Sequence, residues 1–157
     1  MSVTPRRRAE RPTFALDLQC GSGVRACPVP RARLRRWIAS VLNQPALLTV
    51  RLVNRAEARA LNAAYRDRDY APDVLTFEYG CDDQGRRLAD IVICLPVLRE
   101  QARAAAIPLD HRFAHLLIHG VLHAQGLDHQ TAEEAQQMES IEIAALRRFR
   151  IPDPYKG

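Results

Sequence analysis

Five histidines occupy positions 111 to 129, and three of them stand at a spacing that can gather metal-binding nitrogens. In the run His119-Gly120-Val121-Leu122-His123-Ala124-Gln125-Gly126-Leu127-Asp128-His129, His119 and His123 lie four residues apart. Residues so separated share one face of a helix, about one turn apart, and both imidazoles can reach one ion. Gly126 can take the left-handed conformation that ends a helix and swings the chain back, bringing His129 round as a third ligand. Three neutral nitrogens with a fourth position left to water is the pattern of a catalytic zinc site, whereas structural sites close all four positions. Zinc held in that way lowers the pKa of its water to roughly 7. The cofactor implied is one Zn2+ per chain. A solitary histidine reads more simply as a surface or satisfied core residue; the H-x3-H-x2-G-x2-H array does not. His115, one turn before His119 on the same face, is either a fourth ligand or an outer residue packed against the ligands. His111 reads as surface.

The spacing matches the metzincin protease pattern H-E-x-x-H-x-x-G-x-x-H, yet the position of its glutamate base is Gly120, which has no proton-accepting side chain. That pattern also calls for a methionine turn beneath the metal, and the methionines here are Met1 and Met138, the latter inside an expected helix. Peptide hydrolysis is disfavoured. Cys20, Cys27, Cys81 and Cys94 include no C-x-x-C pair and read as thiols kept reduced in a cytosolic setting.

The elements that must position these histidines follow from periodicity. Phe14, Leu16 and Leu18 alternate with polar or small residues as in a strand, and Leu47–Val53 reads as a second. Between them Leu34, Trp37, Ile38, Val41 and Leu42 recur at helical spacing from Arg31 to about Gln44. Asn54 with Glu57 forms a cap-and-return pair for a helix through Leu61 and Tyr65. Val74–Tyr79 and Leu88–Cys94 read as strands joined by a hairpin turn at Asp82-Asp83-Gln84-Gly85. Pro96 opens a helix to about Ala106, Pro108 restarts the chain into the histidine helix, and Thr131 with Glu134 caps a last helix to about Arg148. Met138, Ile141, Ile143, Ala145 and Leu146 give that helix its apolar side. The expected fold is α+β: a single domain with a small mixed four-stranded sheet packed against about five helices and a metzincin-like metal site. Residues 1–11 read as a flexible basic tail, and 12–157 as one metal-dependent hydrolase domain.

A chain of 157 residues suits one apolar core. No apolar run reaches bilayer-crossing length, and the basic N-terminus lacks the apolar stretch of a secretion signal. The chain reads as cytoplasmic, with no membrane partner. Its net charge of +5 comes almost wholly from arginine, Lys156 being the only lysine. Clusters fall at Arg6-Arg7-Arg8, at Arg31, Arg33, Arg35 and Arg36, and at Arg147, Arg148 and Arg150. A guanidinium fork suits phosphate, so RNA fits as a partner, although such faces are often only solvated surface.

With these motifs in place the chain resembles the YbeY family of bacterial endoribonucleases. His119 through His129 matches the family's H-G-x-L-H-x-x-G-x-D-H signature. Leu61-Asn62-Ala63-Ala64-Tyr65-Arg66 resembles L-N-x-x-Y-R, Asp73-Val74-Leu75-Thr76-Phe77 resembles D-V-L-S-F, and Ala89-Asp90-Ile91-Val92-Ile93 resembles G-D-I-x-I. Glu133-Glu134, Met138-Glu139 and Pro154-Tyr155 fit the family's tail, so the likeness runs from about Pro45 to Tyr155. Departures are Ala124-Gln125 and Leu127, where leucines and an aromatic are usual, Ala89 for glycine and Thr76 for serine.

The resemblance implies a zinc-dependent endoribonuclease acting on single-stranded RNA, in 3′-end maturation of small-subunit (16S) ribosomal RNA and in ribosome quality control. It implies the small ribosomal subunit as partner, with a small-subunit ribosomal protein and an assembly GTPase. It also implies a role for Arg66 near the metal, so that His119 and Arg66 are the candidate catalytic residues. A permanently charged guanidinium facing zinc would hold a phosphate and stabilise its developing charge; an ion pair with Asp67, Asp69 or Asp73 is the simpler alternative. Asp128 either orients an imidazole or serves the turn before Thr131. Asp90 reads as a sheet-edge polar residue or a wall of the cleft. Basic helix surfaces including Arg33 and Arg36 would track the RNA backbone. Two rival functions remain: a ribosome-assembly binding factor whose metal is structural, and a zinc metallopeptidase.

Overall fold

The sheet is built by two crossovers and a hairpin, and each connection has a local cause. The computed structural model describes residues 11–156; the expected basic tail, apart from Arg11, lies outside the described residues. Strand β1 (Phe14–Cys20) leads through helix α1 (Arg31–Val41) to β2 (Ala46–Val53), which pairs with β1 in parallel. Helix α2 (Arg55–Arg66) then carries the chain to β3 (Val74–Cys81), and a tight turn returns it as β4 (Arg87–Cys94). In that turn the Asp82 carboxylate accepts from the Gln84 and Arg86 amides at 2.9 Å, and Gly85 takes a positive φ of 76°. The strand order is β1-β2-β4-β3, with β2 and β4 parallel and β3 antiparallel on the outside. The mixed four-stranded sheet and five helices are those expected, with α3 (Leu95–Ala105), α4 (Leu109–Ala124) and α5 (Ala132–Arg148) completing the chain.

One face of the sheet packs on α1 and α4. Leu48, Val50 and Leu52 of β2 and Ile91 and Ile93 of β4 alternate onto this face, as period-two geometry requires. Trp37 and Phe113, both fully buried, join α1 to α4 with ring centroids 6.2 Å apart. Helix α4 is buried almost all round, from Phe113 through Ala124, which explains its nearly unbroken apolar composition. The other face carries a smaller cluster of Val53, Ala58, Leu75, Val92 and Cys94 under α2.

Three local expectations are corrected. Helix α1 stops at Val41 rather than near Gln44: Leu42 is extended, and the Gln125 side-chain oxygen Oε1 accepts from the Asn43 amide at 2.7 Å. Asn54 does cap α2 by accepting from the Glu57 amide at 2.9 Å, but the Glu57 carboxylate turns outward to Arg51 at 2.6 Å. Asp90 is not on a sheet edge, because β3 pairs outside β4; it lies on the open face, away from the histidines, where Tyr79 donates to it at 2.8 Å.

Candidate metal centre

Helix α4 presents His119 and His123 one turn apart, and the end of the helix supplies the third imidazole. Gly126, at φ +90°, donates to the His123 carbonyl at 2.9 Å, and Leu127 donates to the Leu122 carbonyl at 3.2 Å. These are the two reverse hydrogen bonds of a glycine-terminated helix, and Leu127 packs on the core as its apolar anchor. Gln125 ties the same turn to α1, donating to the Val41 carbonyl at 2.9 Å. Asp128 then accepts from the His129 amide at 2.7 Å, and Thr131 caps α5 by accepting from the Glu134 amide at 3.1 Å. Of the two readings of Asp128 the structure places it in the turn, and its carboxylate meets backbone rather than an imidazole.

The outcome is a triangle of rings. Centroids are 4.7 Å apart for His119 and His123, 4.8 Å for His123 and His129, and 5.5 Å for His119 and His129. One nitrogen from each lies within 4.8 Å of the others, and no further histidine, cysteine or carboxylate joins the group among the described residues. A trio of imidazole donors suits zinc or a similar transition metal. The donor set therefore fits the expected ion. Burial, helped by the neighbouring His119 and His129 and by Arg66, pushes the His123 pKa down to about 4. His123 is thus neutral, with a lone pair to give, at physiological pH.

His115 is not a fourth ligand. Its Nδ1 lies 3.2 Å from the Arg112 guanidinium and its Nε2 lies 3.1 Å from the Tyr155 hydroxyl. The carboxylate that does meet a ligand is Glu142, fully buried on α5, 2.7 Å from Nδ1 of His119. Tyr155 donates to the other Glu142 oxygen at 2.7 Å. Burial would raise the Glu142 pKa, but hydrogen bonds from His119 and Tyr155, with the His115 ring 3.6 Å away, outweigh it and hold the carboxyl near 2. Sequence reasoning assigned α5 an apolar side and passed over Glu142. The signal was available: Glu142 stands four residues from both Met138 and Leu146, on the buried stripe of the helix, where a charge must be paired.

The histidines open into a cleft of about 860 Å³ that is also lined by β3, Arg66 and Arg68. Arg66 donates to the Thr76 carbonyl at 3.0 Å, and two of the three alternative partners are taken by others. Arg59 holds Asp69 at 2.6 Å, and Arg112 holds Asp73 at 3.2 Å. Among the described residues the Arg66 charge meets no carboxylate, and it faces the cleft. Of the basic helix positions, Arg33 is committed to Asp110 at 2.8 Å while Arg36 is exposed.

The Endoribonuclease YbeY family model matches residues 25–150. This chain belongs to the YbeY family. It is 50% identical over 144 residues to the Endoribonuclease YbeY of Thiobacillus denitrificans, covering 92% of this chain and 97% of that protein. It is 44% identical over 151 residues to the Endoribonuclease YbeY of Cupriavidus necator, covering 95% of this chain and 76% of its relative. A Thermotoga maritima protein solved in solution shares the fold, with a TM-score of 0.51 at 22% identity over 92% of this chain and all of that one. In this family member the signature histidines are those that converge, and the arginine of its L-N-x-x-Y-R motif lines their cleft.

Proposed function

We propose that this chain is a zinc-dependent endoribonuclease that cuts single-stranded RNA during 3′-end maturation of small-subunit ribosomal RNA in the cytoplasm. The observation that carries the reading is the pairing of three convergent imidazoles with an unneutralised arginine across one open cleft. His119, His123 and His129 would hold the zinc, which when bound would supply Lewis-acid chemistry and a water of lowered pKa. Arg66 grips the scissile phosphate with its guanidinium fork. Its bond to the Thr76 carbonyl fixes the side chain before substrate arrives, so little ordering remains at the moment of reaction. His123 contributes an unprotonated nitrogen. The exposed Arg36 offers a further phosphate contact along the RNA. The family implies a small-subunit ribosomal protein and an assembly GTPase as companions on the ribosome.

The trio of donors favours an enzyme over an assembly factor with a structural metal, since structural zinc is closed by four side chains. Gly120 weighs against a peptidase, because a side chain there would run into Ile91, 2.8 Å from a built Cβ, instead of reaching the cleft. The test offers zinc-loaded protein a single-stranded RNA, the same sequence as a duplex, and a peptide library. Cleavage confined to the single strand, abolished by chelator and restored by zinc, is the expected result. Full cleavage after complete metal removal, or equal turnover of peptides, overturns the reading.

A further inference from the structure

A directional hydrogen-bond chain runs from the surface of α4 to the lone pair of His119, and the C-terminal segment supplies its middle link. Its direction follows from donor inventory alone. A guanidinium only donates, so the Arg112 contact at 3.2 Å makes His115 Nδ1 an acceptor and leaves the proton on Nε2. That Nε2–H donates to the Tyr155 oxygen at 3.1 Å. The Tyr155 O–H is then free to donate to Glu142, which it meets at 2.7 Å. Ionised Glu142 only accepts, so the His119 contact at 2.7 Å requires a proton on Nδ1. A neutral imidazole with its proton there has its lone pair on Nε2. Arg112 is itself clamped by Gln101 at 2.8 Å and Asp73 at 3.2 Å, so the start of the chain does not wander.

We propose that Glu142 and, through it, Tyr155 are positioning residues that lock His119 in the tautomer whose Nε2 faces the metal centre, so that the C-terminal tail sets metal affinity. Tyr155 is 44% exposed and fills no core position, yet its hydroxyl reaches the fully buried Glu142. No buried polar side-chain atom is left without a partner among the described residues; the network is complete, and removing one member unbalances the next. Partners of this kind hold ring orientation and raise ligand basicity, and losing one typically costs 10–100-fold in metal affinity.

The inference rests on the metal reading above, and its test separates the two. Metal-free wild type, Tyr155→Phe and Glu142→Gln are compared by long-range proton–nitrogen NMR of the histidine rings, which reports tautomer without metal or substrate. Zinc affinity is then measured by competition with a chromophoric chelator. The wild-type His119 signal should show protonated Nδ1. Glu142→Gln should mix the tautomers and weaken zinc by about 10–100-fold; Tyr155→Phe should weaken it several-fold while far-UV dichroism stays native. Should Glu142→Gln fail to fold, Tyr155→Phe decides alone, since it keeps the ring and loses only the hydroxyl. A wild type with Nε2 protonated, or variants with unchanged tautomer and zinc affinity within twofold, overturns the proposal. A wild type that takes up no zinc overturns the metal reading itself and the affinity claim with it.

Discussion

Replacing Gly120 with alanine tests the account of how α4 is seated. A Cβ at this position would lie 2.8 Å from Ile91 Cγ2 and 3.4 Å from Cδ1 and Cγ1. Ile91 is fully buried on the inner strand β4, so it has nowhere to swing. Overpacking of this kind costs about 1–3 kcal/mol, while alanine gains about 1 kcal/mol over glycine inside a helix. The net is a loss of about 0–2 kcal/mol, and each kcal/mol corresponds to about 2–4 °C in Tm for a chain of this size. Because the two effects have opposite sign, a second background separates them. In an Ile91→Ala protein the obstructing Cγ2 is gone, and Gly120→Ala should become stabilising, approaching the propensity gain of about 1 kcal/mol. Urea unfolding of the four metal-free proteins measures the cycle. Gly120→Ala that stabilises the wild-type background, or that has the same effect in both, refutes the close helix-to-sheet contact. The same geometry forbids restoring a glutamate base: Gly120→Glu would press a carboxylate into the core, and the expected product is a destabilised protein without peptidase activity.

Two further outcomes follow from the cleft. Arg66→Ala should lower kcat on single-stranded RNA by about 10²–10³, the usual worth of one preorganised charge-stabilising donor, with Arg66→Lys intermediate because it keeps charge but not the fork; activity within threefold of wild type for Arg66→Ala removes it from the mechanism. Metal-free protein should lose stability on acidification in two windows, followed by the urea midpoint. His123 is depressed from 6.5 to about 4, so its contribution is complete above pH 6.5 and is lost as pH falls through about 4. Glu142 is depressed from 4.5 to about 2, so its contribution, on the order of 3 kcal/mol, is complete above pH 4.5 and fades toward pH 2. A midpoint unchanged from pH 7 to 4, or a His123→Gln variant that falls as steeply as wild type across the upper window, contradicts the assignment.

The parts of the site legible in the sequence are those decided within a dozen residues. Helical spacing put His119 and His123 on one face, and Gly126 marked the turn that brings His129 to them, because both are questions of local backbone geometry. The Asn54 and Thr131 caps and the turn at Asp82 were readable for the same reason. What was not readable depends on contacts between distant segments. Glu142 meets His119 across 23 positions and Tyr155 reaches Glu142 across 13, and neither pairing leaves a periodic trace. The end of α1 is set by Gln125, 82 residues from Asn43. Asp90 was misplaced because membership of an edge or inner strand follows from pairing order, which the alternation within one strand does not encode.

That division has a chemical consequence. The candidate ligands come from one helix and its return, but what orients them comes from elsewhere. Gly120 lets α4 approach β4, burial keeps His123 unprotonated, and α5 with the C-terminal segment supplies the carboxylate and hydroxyl behind His119. His129 differs from the other two: it is exposed, and its position depends on the glycine turn and the Asp128 bond to its amide. Two nitrogens are therefore preset by packing and the third by a surface turn. A site assembled in this way keeps its exposed flank at His129 while the other two imidazoles stand on the most deeply buried helix, an arrangement suited to a long, flexible substrate such as a single RNA strand.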